Sequence, residues 1–152
     1  MLKLEKTLTY RLHLLHKLTD MQSQRAYVAG AGLSMSDARC LTAVGSFAPL
    51  SVNDLATRAN LNKGQASRAA QSLVDQALVR KVASPTDGRG VVLSLTPKGH
   101  AAWQRAMQVV GRRNQAIFGV LSAAERSQLS DFFDRLIAQA RADGGAPEGI
   151  DE

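Results

Sequence analysis

Between residues 63 and 71 the chain sets Gly64, Ser67, Arg68 and Gln71 on one side of a helical pattern, and none of them is bulky and apolar. A guanidinium, an amide and a hydroxyl on so slim a face have the reach and the donor–acceptor pattern to touch base edges and phosphates in the major groove of a duplex. A second cation stands at Arg89, between Gly88 and Gly90 and two residues after Asp87. The glycines let the backbone lie against another surface, and the carboxylate is near enough to orient the guanidinium. An arginine held at a loop tip suits the negative potential of a narrow minor groove. The same residue types also occur on solvated helix faces, and as incidental charge pairs of small energetic worth.

The elements around these residues give them a context. Ser51-Val52-Asn53-Asp54 places a capping hydroxyl three residues before an acid, and Val52, Leu55, Ala56 and Ala59 follow at helical spacing. A short helix ending near Asn60 is expected. Leu61 fills the turn, and Asn62-Lys63-Gly64-Gln65 is a second capping box that opens the next helix. That helix turns Ala66, Ala69, Ala70, Leu73 and Ala77 to one face. Two β-prone runs, 79–83 and 91–95, then flank Ser84-Pro85-Thr86-Asp87-Gly88-Arg89-Gly90, so a hairpin with a basic tip is expected. Val91, Leu93 and Leu95 share one side of its second strand and Val92 and Ser94 the other. Thr96-Pro97 supplies a cap and a first-turn proline for a long helix running to about Phe118. Helix, turn, helix and hairpin are the parts, in order, of a winged helix-turn-helix.

The wing reads Asp87-Gly88-Arg89, then five residues, then Leu95-Thr96 and Gly99. This is similar to the D-x-R-x(5)-L-T-x-x-G signature of the MarR family of transcriptional regulators, and the chain resembles that family in the order and length of its elements from about residue 8 to 141. The resemblance implies that Arg89 enters the minor groove and that Asp87 positions it. It also implies that Ser67 and Arg68 lie on the recognition helix, with Lys63, Gln65 and Gln71 as further base or phosphate contacts. Two positions depart from the pattern. Ala77 stands where the family often has a helix-ending glycine, so the turn must avoid the left-handed region or bear its cost. Gly64 costs up to about 1 kcal/mol relative to alanine in a helix interior, while permitting close approach to phosphate.

At 152 residues and 45% hydrophobic content the chain is one domain's worth of protein, and its formal net charge of +6 suits a polyanionic partner. The lone Cys40 excludes an intrachain disulfide framework, and Lys3, Glu5 and Lys6 interrupt any signal-like apolar run. A cytoplasmic protein with no membrane partner is expected. No H-E-x-x-H, G-x-S-x-G or phosphate-binding glycine loop is present, so neither enzymatic activity nor a metal or cofactor is expected.

Leu4, Leu8, Leu12, Leu15, Leu18 and Met21 form an apolar stripe at one end of the chain. At the other end, Ser122-Ala123-Ala124-Glu125 caps a helix carrying Leu129, Phe132, Phe133, Leu136 and Ile137. This exceeds what terminal helices bury against one small domain, so a symmetric homodimer with interleaved terminal helices is expected, as the resemblance also implies. The fold class is mainly α with a small β-hairpin wing, over a single winged-helix domain at residues 1–142. Within it the DNA-binding lobe spans about 34–96 and the dimerisation helices about 4–29 and 97–141, followed by a disordered tail at 143–152.

The resemblance further implies a cleft between dimerisation helices and lobe that takes small aromatic or phenolic anions. Its candidate lining is Arg11, His13 and His16, then Arg39 and Cys40, then Trp103 and Met107. An arginine among apolar and aromatic groups favours a carboxylate. His13 and His16, three residues apart, can equally pack and hydrogen-bond, and Trp103 can serve the core. Some relatives sense peroxide through a thiol near the start of the first helix, whereas Cys40 falls on a core-contacting helix and reads as structural. The expected function is that of a ligand-responsive repressor binding a pseudo-palindromic operator in double-stranded DNA as a homodimer. The alternatives are a thiol-based redox-sensing regulator and a winged-helix protein-interaction module.

Overall fold

Side-chain oxygens start every α-helix among the described residues of the computed structural model, which describes residues 1–86, 88 and 90–144. Thr7 accepts from the Tyr10 amide at the head of α1 (Leu8–Ala31), and Ser34 accepts from the Asp37 amide at the head of α2 (Met35–Phe47). Ser51 caps α3 (Val52–Ala59), and Asn62 with Gln65 closes a reciprocal box on α4 (Lys63–Asp75). After the antiparallel pair β1 (Val79–Ala83) and β2 (Val91–Leu95), Thr96 caps α5 (Pro97–Phe118). Ser122 and Glu125 exchange bonds of 3.1 and 2.8 Å to open α6 (Ala123–Gly144). Each such cap is worth about 1 kcal/mol, because it satisfies amides the helix cannot pair.

The first helix therefore differs from the expected 4–29. Leu4 sits in a separate 3-10 turn, Leu4–Lys6, and the cap at Thr7 delays α1 to Leu8, while Gly32 lets it run on to Ala31. Of the tail expected at 143–152, Asp143 and Gly144 instead belong to α6; the remainder lies outside the described residues.

Three helices end through a left-handed residue, with φ of 67° at Gly32, 56° at Asn60 and 60° at Ala77. At α4 the Ala77 amide bonds the Val74 carbonyl and the Leu78 amide reaches back to Leu73, both at 2.9 Å, with Leu73 and Leu78 buried together. This is a Schellman end with alanine in the place that favours glycine. Ala77 thus lies beyond α4, exposed, and not on its inward face. The strained turn is clamped from the next element: the Thr96 hydroxyl donates to the Ala77 carbonyl at 2.6 Å, and the Thr96 amide donates to that of Leu78 at 3.1 Å. A Cβ on Gly99 would collide with the Leu78 carbonyl. The Thr-Pro-Lys-Gly run is therefore a docking device that seats α5 on the end of α4.

Leu41, Val44, Leu55, Leu73, Leu93 and Val109, all but fully buried, bring α2, α3, α4, β2 and α5 around one core. In the hairpin Val79 pairs with Leu95, Lys81 with Leu93 and Ala83 with Val91. Leu50 adds a bridge that the sequence did not announce, its carbonyl accepting from the Leu93 amide at 2.8 Å. The core holds the C-terminal part of α1 through Tyr27, and Gly30 allows Val109 to come close. The rest of α1 and all of α6 stand away from it: α6 buries no residue, and Leu8, Leu12, Leu15 and Leu136 are half or more exposed. No helix among the described residues is long and apolar enough to cross a membrane.

Candidate nucleic-acid interface and adjoining cleft

With Ala66, Ala69, Ala70 and Leu73 locked into the core, α4 must present its other side to solvent. Lys63, Gln65, Ser67, Arg68 and Gln71 are all exposed there. Their freedom differs. Gln65 spends its amide oxygen on the Asn62 amide at 3.3 Å. Gln71 donates to Asp75 at 2.8 Å and accepts from Lys81 Nζ at 3.2 Å, so it braces β1 against α4. Lys63, Ser67 and Arg68 make no side-chain hydrogen bond or ion pair among the described residues, which leaves their donors available to a ligand. Gly64 sits in the first turn of α4, where the helix-interior penalty is not incurred in full, and a Cβ there would stand 3.2 Å from an Arg68 nitrogen. Asp87 and Arg89 lie outside the described residues. Beside the wing, β1 exposes two cations the sequence reading passed over, Lys81 and Arg80, the latter bonded to Ser94 at 3.3 Å. Their signal was present in the strand itself, where basic side chains follow the buried Val79.

An open cleft of about 460 Å³ lies behind the helix-turn-helix. His16 from α1, Arg39, Thr42 and Phe47 from α2, Arg58 and Asn60 from the end of α3, and Met107 from α5 meet around it. Arg58 lies over the Phe47 ring with Cζ 4.4 Å from the centroid, giving a stacked cation and aromatic plane at one wall. Arg39 and His16 both reach Asp20, at 3.0 and 3.2 Å. Of the candidates drawn from sequence, His16, Arg39 and Met107 come together here. Arg11 and His13 do not; they are exposed on the free stretch of α1. Trp103 does not line the cleft either, because Gly45 opens a slot for its indole on α2 and Nε1 donates to the Thr42 carbonyl at 3.3 Å. Phe47, Arg58 and Asn60 went unnoticed in the sequence because only the fold folds α3 back over α2. Cys40 is fully buried, and burial, then the Asp37 carboxylate, push its thiol up to about 12. A thiolate, the form peroxide attacks, is negligible there at neutral pH. Among the described residues no group of His, Cys, Asp and Glu is arranged to hold a metal.

A model of the MarR family matches residues 31–90, the span from the end of α1 through the wing. Over that span the chain is similar to the MarR family. Over 103 residues the chain is 32% identical to a putative transcriptional regulatory protein for the hcr operon of Thauera aromatica, a match that covers 68% of the chain and 60% of that relative's length. The winged-helix fold recurs in a MarR-family transcriptional regulator of Silicibacter pomeroyi, with a TM-score of 0.77, 23% identity, and 90% and 92% of the two chains covered. It recurs also in BpsR of Bordetella bronchiseptica, whose DNA binding is regulated by 6-hydroxynicotinic acid. There the TM-score is 0.79 and the identity 18%, over 90% of this chain and 96% of that one.

Proposed function

We propose that this chain is a MarR-family repressor that binds a pseudo-palindromic operator as a homodimer in the cytoplasm and is released when a small aromatic or phenolic anion fills the cleft. The seat of the cleft against the helix-turn-helix carries this proposal. Arg58 and Asn60 are the last turn of α3 and its left-handed end, and Asn62, the cap of α4, follows after a single residue. An occupant that draws on Arg58 or Asn60 therefore bears on the joint that aims α4. Two recognition helices in a dimer must lie about 34–36 Å apart, or a multiple of that, to enter successive major grooves, so a small tilt of each breaks the register. A ligand acts this way to the extent that it binds the DNA-free arrangement more tightly.

Exposed donors on Lys63, Ser67 and Arg68 support the DNA-binding half of the proposal, with Arg89 and Asp87 assigned to the wing from their motif. The uncovered apolar faces of α1 and α6 support a second copy as their cover. The ligand class rests on two arginines beside an aromatic ring, and the regulation of BpsR by an aromatic acid is consistent with it.

Duplexes selected by the protein from a random pool, then titrated at several salt concentrations, test the proposal. An inverted repeat with matching half-site spacing and a linear fall of log K with log salt are expected. Selection of direct repeats or of single half-sites, or binding insensitive to salt, would exclude it.

A further inference from the structure

One carboxylate, Asp20, stands behind a cleft lined by two arginines and a histidine. Asp20 receives Arg39 Nη2 at 3.0 Å on one oxygen and His16 Nε2 at 3.2 Å on the other. Arg39 and His16 line the cleft, and Asp20 stands behind them. The pair is not sealed in: the Arg39 and Asp20 side chains are 33% and 30% exposed, so a small solute reaches the guanidinium without disturbing the core. Arg58, the second cation of the cleft, has no carboxylate partner among the described residues and rests on Phe47. Arg39 is thus the one arginine of the site whose charge is already answered from within the chain.

We infer that Asp20 is an internal competitor for the ligand's acid group, one that sets how strongly the cleft discriminates anions from neutral ligands of the same shape. In the empty cleft Asp20 occupies one arm of Arg39 and cancels much of its charge. An incoming carboxylate must share that guanidinium with a like charge or displace it, and either course weakens anion binding relative to a lone arginine. Asp20 is then a specificity-determining residue that acts through Arg39. The inference rests on the cleft being an anion site, as proposed above. It also separates two roles an acid beside an arginine can have, since an acid that merely held Arg39 in place would strengthen ligand binding.

The test uses the full chain, with benzoate as the probe and benzamide as its neutral isostere. Trp103 is the sole tryptophan and is bonded to Thr42, a cleft residue, so its emission follows the titration. Asp20→Asn should bind benzoate about threefold to fivefold more tightly than the unaltered protein and leave benzamide unchanged, the size expected for a partly exposed ion pair. Asp20→Ser should do the same, which guards against a folding defect peculiar to one variant, and Asp20→Glu should restore the original ratio. Weaker or unchanged benzoate binding in both neutral variants would overturn the inference, because Asp20 would then position Arg39 or do nothing. If the unaltered protein fails to prefer benzoate over benzamide and Arg39→Gln alters neither, the anion site itself is refuted, and the inference with it.

Discussion

Replacing Ala77 with glycine should stabilise this protein, and its three left-handed helix ends allow the size to be worked out. Ala77 holds a φ of 60°, a region where a Cβ costs an L-residue about 1–2 kcal/mol. Its methyl is exposed, so removing it gives up little burial. Against the gain stands the larger freedom of glycine in the unfolded chain, about 0.4–1 kcal/mol. The difference is a net stabilisation of about 0.5–1 kcal/mol, or roughly 1–4 °C in Tm for a chain of this size. Gly32 supplies the reverse experiment. Its φ is 67° and a Cβ built there meets nothing within 4 Å, so Gly32→Ala isolates the backbone penalty and should destabilise by about as much. Asn60→Gly should shift stability by only a few tenths of a kcal/mol, since asparagine tolerates this region. Urea unfolding followed by circular dichroism, at one fixed protein concentration, measures all three, with unchanged m-values as the sign that only stability has moved. A midpoint for Ala77→Gly at or below the original, beside a Gly32→Ala that is destabilised as stated, would refute the assignment of strain to Ala77.

The seat of α5 should be far less forgiving: Gly99→Ala drives a methyl into the Leu78 carbonyl and should cost more than about 3 kcal/mol, read in the same urea assay, whereas Lys98→Ala loses one exposed bond to Gln76 and should cost under about 1 kcal/mol. At the DNA interface Arg68→Ala should relax preference at one position per half-site by about 1–3 kcal/mol if the side chain reads a base, while Arg89→Ala should weaken binding to operator and scrambled duplex alike and flatten the salt slope by roughly one unit. Titrations against both duplexes distinguish the two, and unchanged binding by both variants would exclude this mode of recognition. Gln71→Ala should act through the wing, because it frees Lys81; a loss shared by all sequences is expected, and a loss confined to one base position would show that Gln71 reads DNA directly. Cys40 in the folded protein should resist a thiol-specific reagent at neutral pH and react fully in urea; rapid labelling without denaturant would contradict its burial.

The sequence alone determined what short-range physics determines. Caps and hydrophobic faces depend on residues three or four apart, so the boxes at Asn62 and Ser122, the inward alanines of α4 and both strands of the hairpin were legible from the chain. The strain at Ala77 was legible as a choice between two outcomes, and the clamp from Thr96 and Gly99 decided it, since a turn held from the neighbouring helix cannot relax. Tertiary structure alone settled the cleft. Helical periodicity tells which residues share a face but not how far along a helix the neighbours extend. Arg11 and His13 therefore share the pattern of His16 yet fall beyond the cleft, and Trp103 is taken by the slot that Gly45 leaves. Arg58 reaches Phe47, and Asp20 reaches Arg39, only because packing of the core brings α1, α2 and α3 together. Gln71 read as a free amide on an outward face until the hairpin folded back to place Lys81 against it. Contacts between residues far apart in the chain follow from how the faces close on one another, and no local pattern carries that information.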